Sequence, residues 1–301
     1  MAADTFAAKS NSVNFDKGIT MKLGVIPINI GVQADEMIQT AQLAESLGYE
    51  SVWTFEHVVL PIDYESKYPY NESGKLFAPP ETNFIDPLIA LTGIAAATKS
   101  IRLGTGVNIL SQVNPLYLAK QAASLDLMSN GRFMLGVGIG WLREEFEALG
   151  VPFERRGARF DDYCEAMRKV WSGDVVEHES EFISWHGFKS HPLPVQNPLP
   201  IVMGGVKGKI WERIAKYGNG WYAPGGDPAE LKPQLDKLRK ACDDIGRDMS
   251  EIEITCMWPG IGGKEFLAQL EEVGVHRAVL PFMGGDPAES LGKIAEEVIA
   301  A

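Results

Sequence analysis

From Met21 onward, short runs rich in Val, Ile and Leu alternate with amphipathic stretches of about 10 to 15 residues, and this alternation limits the fold more than any other feature. Near-continuous apolar runs of strand length are what parallel strands covered on both faces look like. The pattern predicts strands at 22–28, 51–54, 101–106, 132–137, 201–203, 220–222, 252–257 and 277–281. Helices are predicted at 35–47, 86–97, 115–128, 159–171, 209–217, 228–245, 265–273 and 287–300, with Gly48 closing the first and Pro115 suited to a first turn. Eight strands, each followed by a helix, fit a closed (β/α)8 barrel better than the alternative, an open doubly wound sheet.

Two stretches break the rhythm. About thirty residues rich in Pro, Tyr, Asn and Gly follow the second strand, a length that marks a lid or a binding loop. After the fourth strand, 173–198 mixes polar and aromatic residues with prolines, as an inserted hairpin and extended connection would. With 45% hydrophobic and 23% charged residues, the 301-residue chain can bury a large core, so 21–301 is expected to form one barrel domain. Residues 1–20 are small and polar and are expected to be a disordered tail with no secretory signal. No run approaches the roughly 18 to 20 apolar residues of a membrane span, which predicts a cytoplasmic protein.

A formal net charge of −12 works against binding nucleic acid or an anionic membrane, so a phosphate-bearing ligand would need local donors. Cys164, Cys242 and Cys256 lie far apart without metal-ligand spacing, and neither a disulfide framework nor a metal site is expected.

In a (β/α)8 barrel the chemistry sits at the carboxyl ends of the strands. That rule selects Glu56 and His57 after the second strand, Thr105, Gly106, Val107 and Asn108 after the third, and Gly138, Ile139, Gly140 and Trp141 after the fourth. It also selects Gly204, Gly205, Val206 and Lys207 after the fifth, Trp221 and Tyr222 at the sixth, Trp258 at the seventh and Phe282 at the eighth.

The run Gly136-Val-Gly-Ile-Gly140 lacks the G-x-x-G spacing and the position of a dinucleotide loop; its small residues either let a flat ligand approach the backbone or ease a tight strand end. Thr105-Gly106-Val107 is a place for a bulge. Asn108 either hydrogen-bonds a ligand or caps the next loop. His57 can pass a proton near neutral pH, or is a structural histidine held by Glu56 or a carbonyl. The 203–209 segment opens a helix and carries Lys207 and Lys209, as an anion site or an exposed turn would. Trp141, Trp221 and Trp258 either wall a pocket or pack the core. Glu144, Glu145, Arg155, Arg156 and Arg159 read as a salt-bridged surface or subunit contact, with reception of an anionic ligand tail as the alternative.

Taken in order, Ala44-Glu-Ser-Leu-Gly-Tyr-Glu-Ser-Val-Trp53 with Glu56-His57, Leu103-Gly-Thr-Gly-Val107, Ser129-Asn-Gly-Arg132, Leu135-Gly-Val-Gly138, Gly204-Gly205 and Tyr217-Gly-Asn-Gly-Trp221 resemble the luciferase-like monooxygenase family, especially its branch assigned to coenzyme F420. The resemblance spans Met21 to the end. It implies a TIM-type barrel and a cis peptide between Gly106 and Val107 pressed against the central ring of F420 or, alternatively, FMN. By the same resemblance His57 faces the reactive edge of the ring, and Met203 to Val206 cradle the cofactor's phosphate. Glu56, Thr105, Asn108, Gly138, Ile139, Gly140 and Trp221 complete the expected cofactor-binding set. The implied function is hydride transfer between F420 and a small organic substrate, in a homodimer. An FMN-dependent monooxygenase using oxygen and a non-catalytic flavin- or metabolite-binding barrel are the alternatives. Trp141 stands where the sugar-phosphate-dehydrogenase branch has a glutamate, which speaks against sugar-phosphate oxidation.

Overall fold

The computed structural model describes residues 21–282 and 285–299; the expected tail at 1–20 lies outside them. In chain order the elements are β1 (Lys22–Ile26), α1 (Ala34–Ser46), β2 (Ser51–Thr54), α2 (Pro87–Ala97), β3 (Arg102–Thr105), β4 (Asn108–Ile109), α3 (Pro115–Met128) and β5 (Phe133–Gly138). There follow α4 (Arg143–Ala148), α5 (Arg156–Val170), β6 (Val176–Glu179), β7 (Ser184–Phe188), β8 (Ile201–Gly204), α6 (Ile210–Tyr217) and β9 (Gly220–Ala223). The chain continues through α7 (Pro228–Asp243), β10 (Glu253–Met257), α8 (Gly263–Val273), β11 (Arg277–Pro281) and α9 (Pro287–Val298).

The parallel strands run β1-β2-β3-β5-β8-β9-β10-β11, and β11 returns to β1 with Lys22 opposite Arg277 and Ile26 opposite Pro281, so the sheet closes into a (β/α)8 barrel. The third predicted strand is interrupted at Gly106 and Val107. Its continuation, β4, pairs Asn108 with Val137 and Ile109 with Gly138 of β5. Strand one stops at Ile26 rather than 28, because Pro27 has no N–H to donate to a ladder. The 173–198 segment folds as the antiparallel β6–β7 hairpin and an extended return.

Four helices start on one local device. Asp86, Asn114, Asp227 and Asp286 each accept first-turn N–H groups while a proline occupies the first helical position. Such a cap is worth about 1 kcal/mol. Among the described residues no helix is long and apolar enough to cross a membrane.

Apolar burial divides into two parts. The larger cluster lies between sheet and helices, whereas Ile26, Trp53, Met134, Val202, Tyr222 and Val279 fill the barrel interior. Trp53 is fully buried, its ring 5.2 Å from that of Tyr222. A Cβ on Gly104 would come within 2.3 Å of that indole, so glycine on the neighbouring strand makes its room.

The amino end of the barrel is closed by charge. Arg277, with no exposed surface, donates to Glu50 at 2.7 and 2.8 Å, to Glu253 at 2.7 Å and to Thr255 at 3.1 Å, and its guanidinium lies 5.6 Å from the Trp53 ring. Burial alone would raise the Glu253 carboxyl. The Arg277 charge and hydrogen bonds from Lys22 and Arg277 instead bring it down to about 2, and Glu50 is likewise held below its ordinary value against burial by Arg277. A carboxylate with a depressed folded pKa stabilises fully above its unfolded value and loses that contribution as pH falls through the folded one. The thermal midpoint is therefore expected to fall between pH 4.5 and 2, and less steeply in Glu253→Gln; equal slopes in a pH series of melts would contradict this.

Candidate active site

A cavity of about 340 Å³ opens at the carboxyl end of the strands, within the size range of small-molecule sites. Of the residues nominated from sequence, Glu56, His57, Gly106, Val107, Gly138, Ile139, Gly140, Gly204, Gly205 and Val206 line it. Arg156, Lys207, Tyr222 and Met257 join them in the wall.

The peptide between Gly106 and Val107 is cis, and the bulge is tied to β2 by Gly106 N–H donating to the Thr54 carbonyl at 2.7 Å. The glycines around it make room for protein rather than for a ligand alone. A Cβ on Gly138 would lie 2.7 Å from Val107 Cγ2, and one on Gly204 would lie 3.1 Å from Val107 Cγ1. A Cβ on Gly136 would sit 1.6 Å from the Thr105 carbonyl oxygen. The Val107 side chain thus occupies a slot between two neighbouring strands, while the residue still contributes to the cavity wall. In Gly138→Ala the added methyl displaces Val107 at a cost of about 1–3 kcal/mol, with cofactor affinity expected to fall at least about tenfold. Unchanged affinity in a fluorescence titration of the folded variant would contradict that role for the slot.

Four residues of the expected cofactor-binding set do not reach the cavity. Thr105 is buried and donates its hydroxyl to the Gly136 carbonyl at 2.7 Å, fastening β3 to β5. Asn108 neither meets the cavity nor caps the next loop; its Nδ2 donates to Glu56 Oε1 at 2.7 Å. Met203 and Trp221 point to the helix side of the sheet, because alternate residues of a strand face opposite ways and their neighbours Val202 and Tyr222 take the barrel interior. Trp221 Nε1 donates to the Gly205 carbonyl at 2.9 Å and its ring meets Trp211 at 5.1 Å, so it braces the 204–207 loop from behind. Trp258 is also core, donating to the Ile261 carbonyl at 2.9 Å, whereas Trp141 is in the cavity wall.

The largest departure concerns the charged run after β5, read from sequence as a surface patch. Glu145, 1% exposed, is a buried anchor from α4. Its Oε2 lies 3.1 Å from His57 Nδ1, and its Oε1 accepts from the N–H groups of Val58 at 2.6 Å and Val59 at 3.3 Å. Histidine is therefore held by Glu145, not by its chain neighbour Glu56. With Nδ1 so engaged, Nε2 is the ring nitrogen left for a ligand. Glu144 accepts from the N–H groups of Glu65 and Ser66, pinning the long loop after β2. Against burial, those bonds and the Ser66 hydroxyl lower Glu144 to about 2. Arg159 is buried and donates to the carbonyls of Ser111 and Pro152, and Arg156 donates to the Gly140 carbonyl at 3.1 Å from the cavity wall. Only Arg155, paired with Glu181, is the expected surface ion pair.

Glu56 is fully enclosed. Burial pushes its carboxyl up to about 7 against hydrogen bonds from Ile109 N–H and Asn108, with the Glu145 and Asp86 charges adding to the rise. Glu56 joins the end of β2 to both residues of β4 and fixes where the bulge sits.

Opposite in character is the β8–α6 turn. Among the described residues no acceptor takes the N–H groups of Val206, Lys207 and Gly208, which precede α6 with Lys207 and Arg156 in the same wall. Free N–H groups before a helix, with two cations, suit a phosphate. A glycine-sided bulge, such an anion cradle and an open imidazole nitrogen in one cavity fit a flat, phosphate-bearing redox cofactor.

The uncharacterized protein Rv0940c of Mycobacterium tuberculosis is 32% identical over 274 residues, 87% of this chain and 94% of that protein. The oxygenase component of the flavin-dependent trigonelline monooxygenase of Acinetobacter baylyi is 32% identical over 170 residues, 56% of this chain and 42% of that protein. The structure of the coenzyme F420 dependent tetrahydromethanopterin reductase from Methanopyrus kandleri superposes with a TM-score of 0.74 at 16% identity, covering 94% of this chain and 99% of that one. The luciferase-like monooxygenase model matches residues 19–281, and the chain belongs to that family.

Proposed function

We propose that this barrel is an F420-dependent oxidoreductase acting on a small organic molecule, with His57 as the proton donor or acceptor. The observation that carries the reading is the His57–Glu145 pair, which leaves imidazole Nε2 in the wall of the cavity that also contains the bulge. When bound, F420 supplies a two-electron carbon centre that exchanges hydride with a substrate carbon.

The chain's own residues do the rest. Glu145 fixes the imidazole through Nδ1, so that Nε2 is placed to take the proton a substrate hydroxyl loses on oxidation, or return it on reduction. Gly106 and Val107 would give the ring a backbone surface, and the free N–H groups of Val206, Lys207 and Gly208 with the Lys207 and Arg156 side chains would hold the phosphate. Glu56 keeps β4 in place behind the bulge.

An FMN-dependent monooxygenase is the second reading, favoured by the relative named as flavin-dependent. Separate fluorescence titrations with F420 and FMN distinguish the two. F420 is expected to bind at least about tenfold more tightly, about 1.4 kcal/mol. Tight FMN binding with indifferent F420 binding would replace the first reading by the second, and binding of neither would defeat both.

A further inference from the structure

The cavity has two chemically different ends. One carries the glycines, the free N–H groups, Arg156 and Lys207. The other is walled by rings: Tyr68, Tyr70, Phe77 and Phe84 from the loop after β2, with Phe55 at its start and Trp141 after β5. These rings contact one another. Tyr68 lies 5.3 Å from Trp141 and 5.4 Å from Tyr70, Phe55 lies 6.0 Å from Phe77, and His57 lies 5.8 Å from Phe84 and 6.0 Å from Trp141.

We propose that this aromatic chamber is the substrate subsite and that it takes an uncharged aromatic molecule, its ring among Tyr68, Phe77 and Trp141 and its reacting end toward His57. The proposal rests on the redox reading above and adds the substrate class to it.

Three observations support it. First, the carboxylates near the chamber already accept hydrogen bonds from the protein. Glu145 is taken by His57 and the N–H groups of Val58 and Val59, and Glu144 by Glu65 and Ser66. Glu56 is taken by Asn108 and Ile109, and Lys75 lies 3.9 Å over Tyr64, outside the chamber wall. Both Glu145 oxygens are spent on His57 Nδ1 and the loop N–H groups, so this carboxylate presents no free oxygen to the chamber. A charge buried without a partner costs far more than ring contacts return. Second, Phe77 and Tyr70 remain 42% and 46% exposed at the mouth, large rings left in water beside an apolar opening. Third, the polar groups that remain suit a neutral ligand: His57 Nε2, and the Tyr68 phenol, which burial pushes up to about 12 so that it stays a hydrogen-bond donor.

The test uses one ring system in three charge states on the full chain saturated with whichever cofactor it binds. Naphthalen-2-ylmethanol, 2-naphthoate and naphthalen-2-ylmethyl-trimethylammonium are titrated by calorimetry. The alcohol is expected to bind at least about tenfold more tightly than either ion. Phe77→Ala, at the exposed rim, should weaken the alcohol about tenfold with cofactor affinity and thermal midpoint unchanged. Absent alcohol binding, equal or tighter binding of an ion, an unaffected Phe77→Ala, or displacement of the alcohol by cofactor would each overturn the chamber assignment. Those results leave the cofactor titrations, and so the redox reading, standing; charge-selective probe binding by a chain that binds neither cofactor would defeat the redox reading instead.

Discussion

His57→Ala is expected to lower turnover by about 10²- to 10⁴-fold, the range a positioned general acid or base contributes. Cofactor affinity should change less than about threefold, because an imidazole offering one nitrogen to the substrate contributes mainly in the transition state. Removing the ring also frees Glu145, whose carboxylate keeps the Val58 and Val59 N–H groups and so does not lose all its partners. The fold should survive. Glu145→Gln separates the roles: the amide retains shape but no longer holds Nδ1 with a carboxylate oxygen, so the ring is less firmly oriented and turnover falls while cofactor affinity stays. Steady-state rates and cofactor titrations on the same preparations check both, and a His57→Ala enzyme with full turnover would make the histidine structural.

Arg277→Met is expected to cost about 3–5 kcal/mol, because it strips Glu50 of its guanidinium partner and leaves Glu253 with Lys22 alone at the closed end of the barrel. At roughly 2–4 °C per kcal/mol for a domain of this size, the thermal midpoint falls by about 10 °C or more. The penalty belongs to the stranded charges rather than to the lost bonds. Adding Glu50→Gln and Glu253→Gln to Arg277→Met should therefore recover part of the loss, and a triple variant no more stable than the single one would show that the guanidinium matters through packing on Trp53 instead. Since this network sits at the opposite end from the cavity, cofactor affinity at low temperature should be unchanged.

The barrel was legible because its strands are largely buried on both faces and read as short, mainly apolar runs. The same property hid side-chain direction. With both faces apolar, nothing in 201–203 or 220–222 says which residue faces inward, so Met203 and Trp221 were nominated alongside Gly204 and Tyr222, of which only the latter two meet the cavity. Thr105 and Asn108 lie at the right height, but the Thr105 hydroxyl goes to β5 and Asn108 Nδ2 to Glu56, while Asn108 Oδ1 is buried without a partner. Glu145 escaped notice because its partner is 88 positions away and its neighbours are charged, so the run looked like a solvated face. One signal was available: an acidic first turn directly after a strand's carboxyl end, where α4 begins two residues beyond Trp141. The aromatic chamber was visible only as a composition, a long loop rich in rings, until the fold set that loop against Trp141.

Hydrogen–deuterium exchange with and without bound cofactor tests most directly whether the ring lies on the bulge and the phosphate in the β8–α6 turn. Binding is expected to slow exchange in peptides covering 105–109, 138–141 and 204–208, with the amino end of the barrel around Lys22, Glu50, Glu253 and Arg277 unaffected. Saturating binding that leaves those three segments exchanging as before, or protects only residues away from the cavity, would contradict the site.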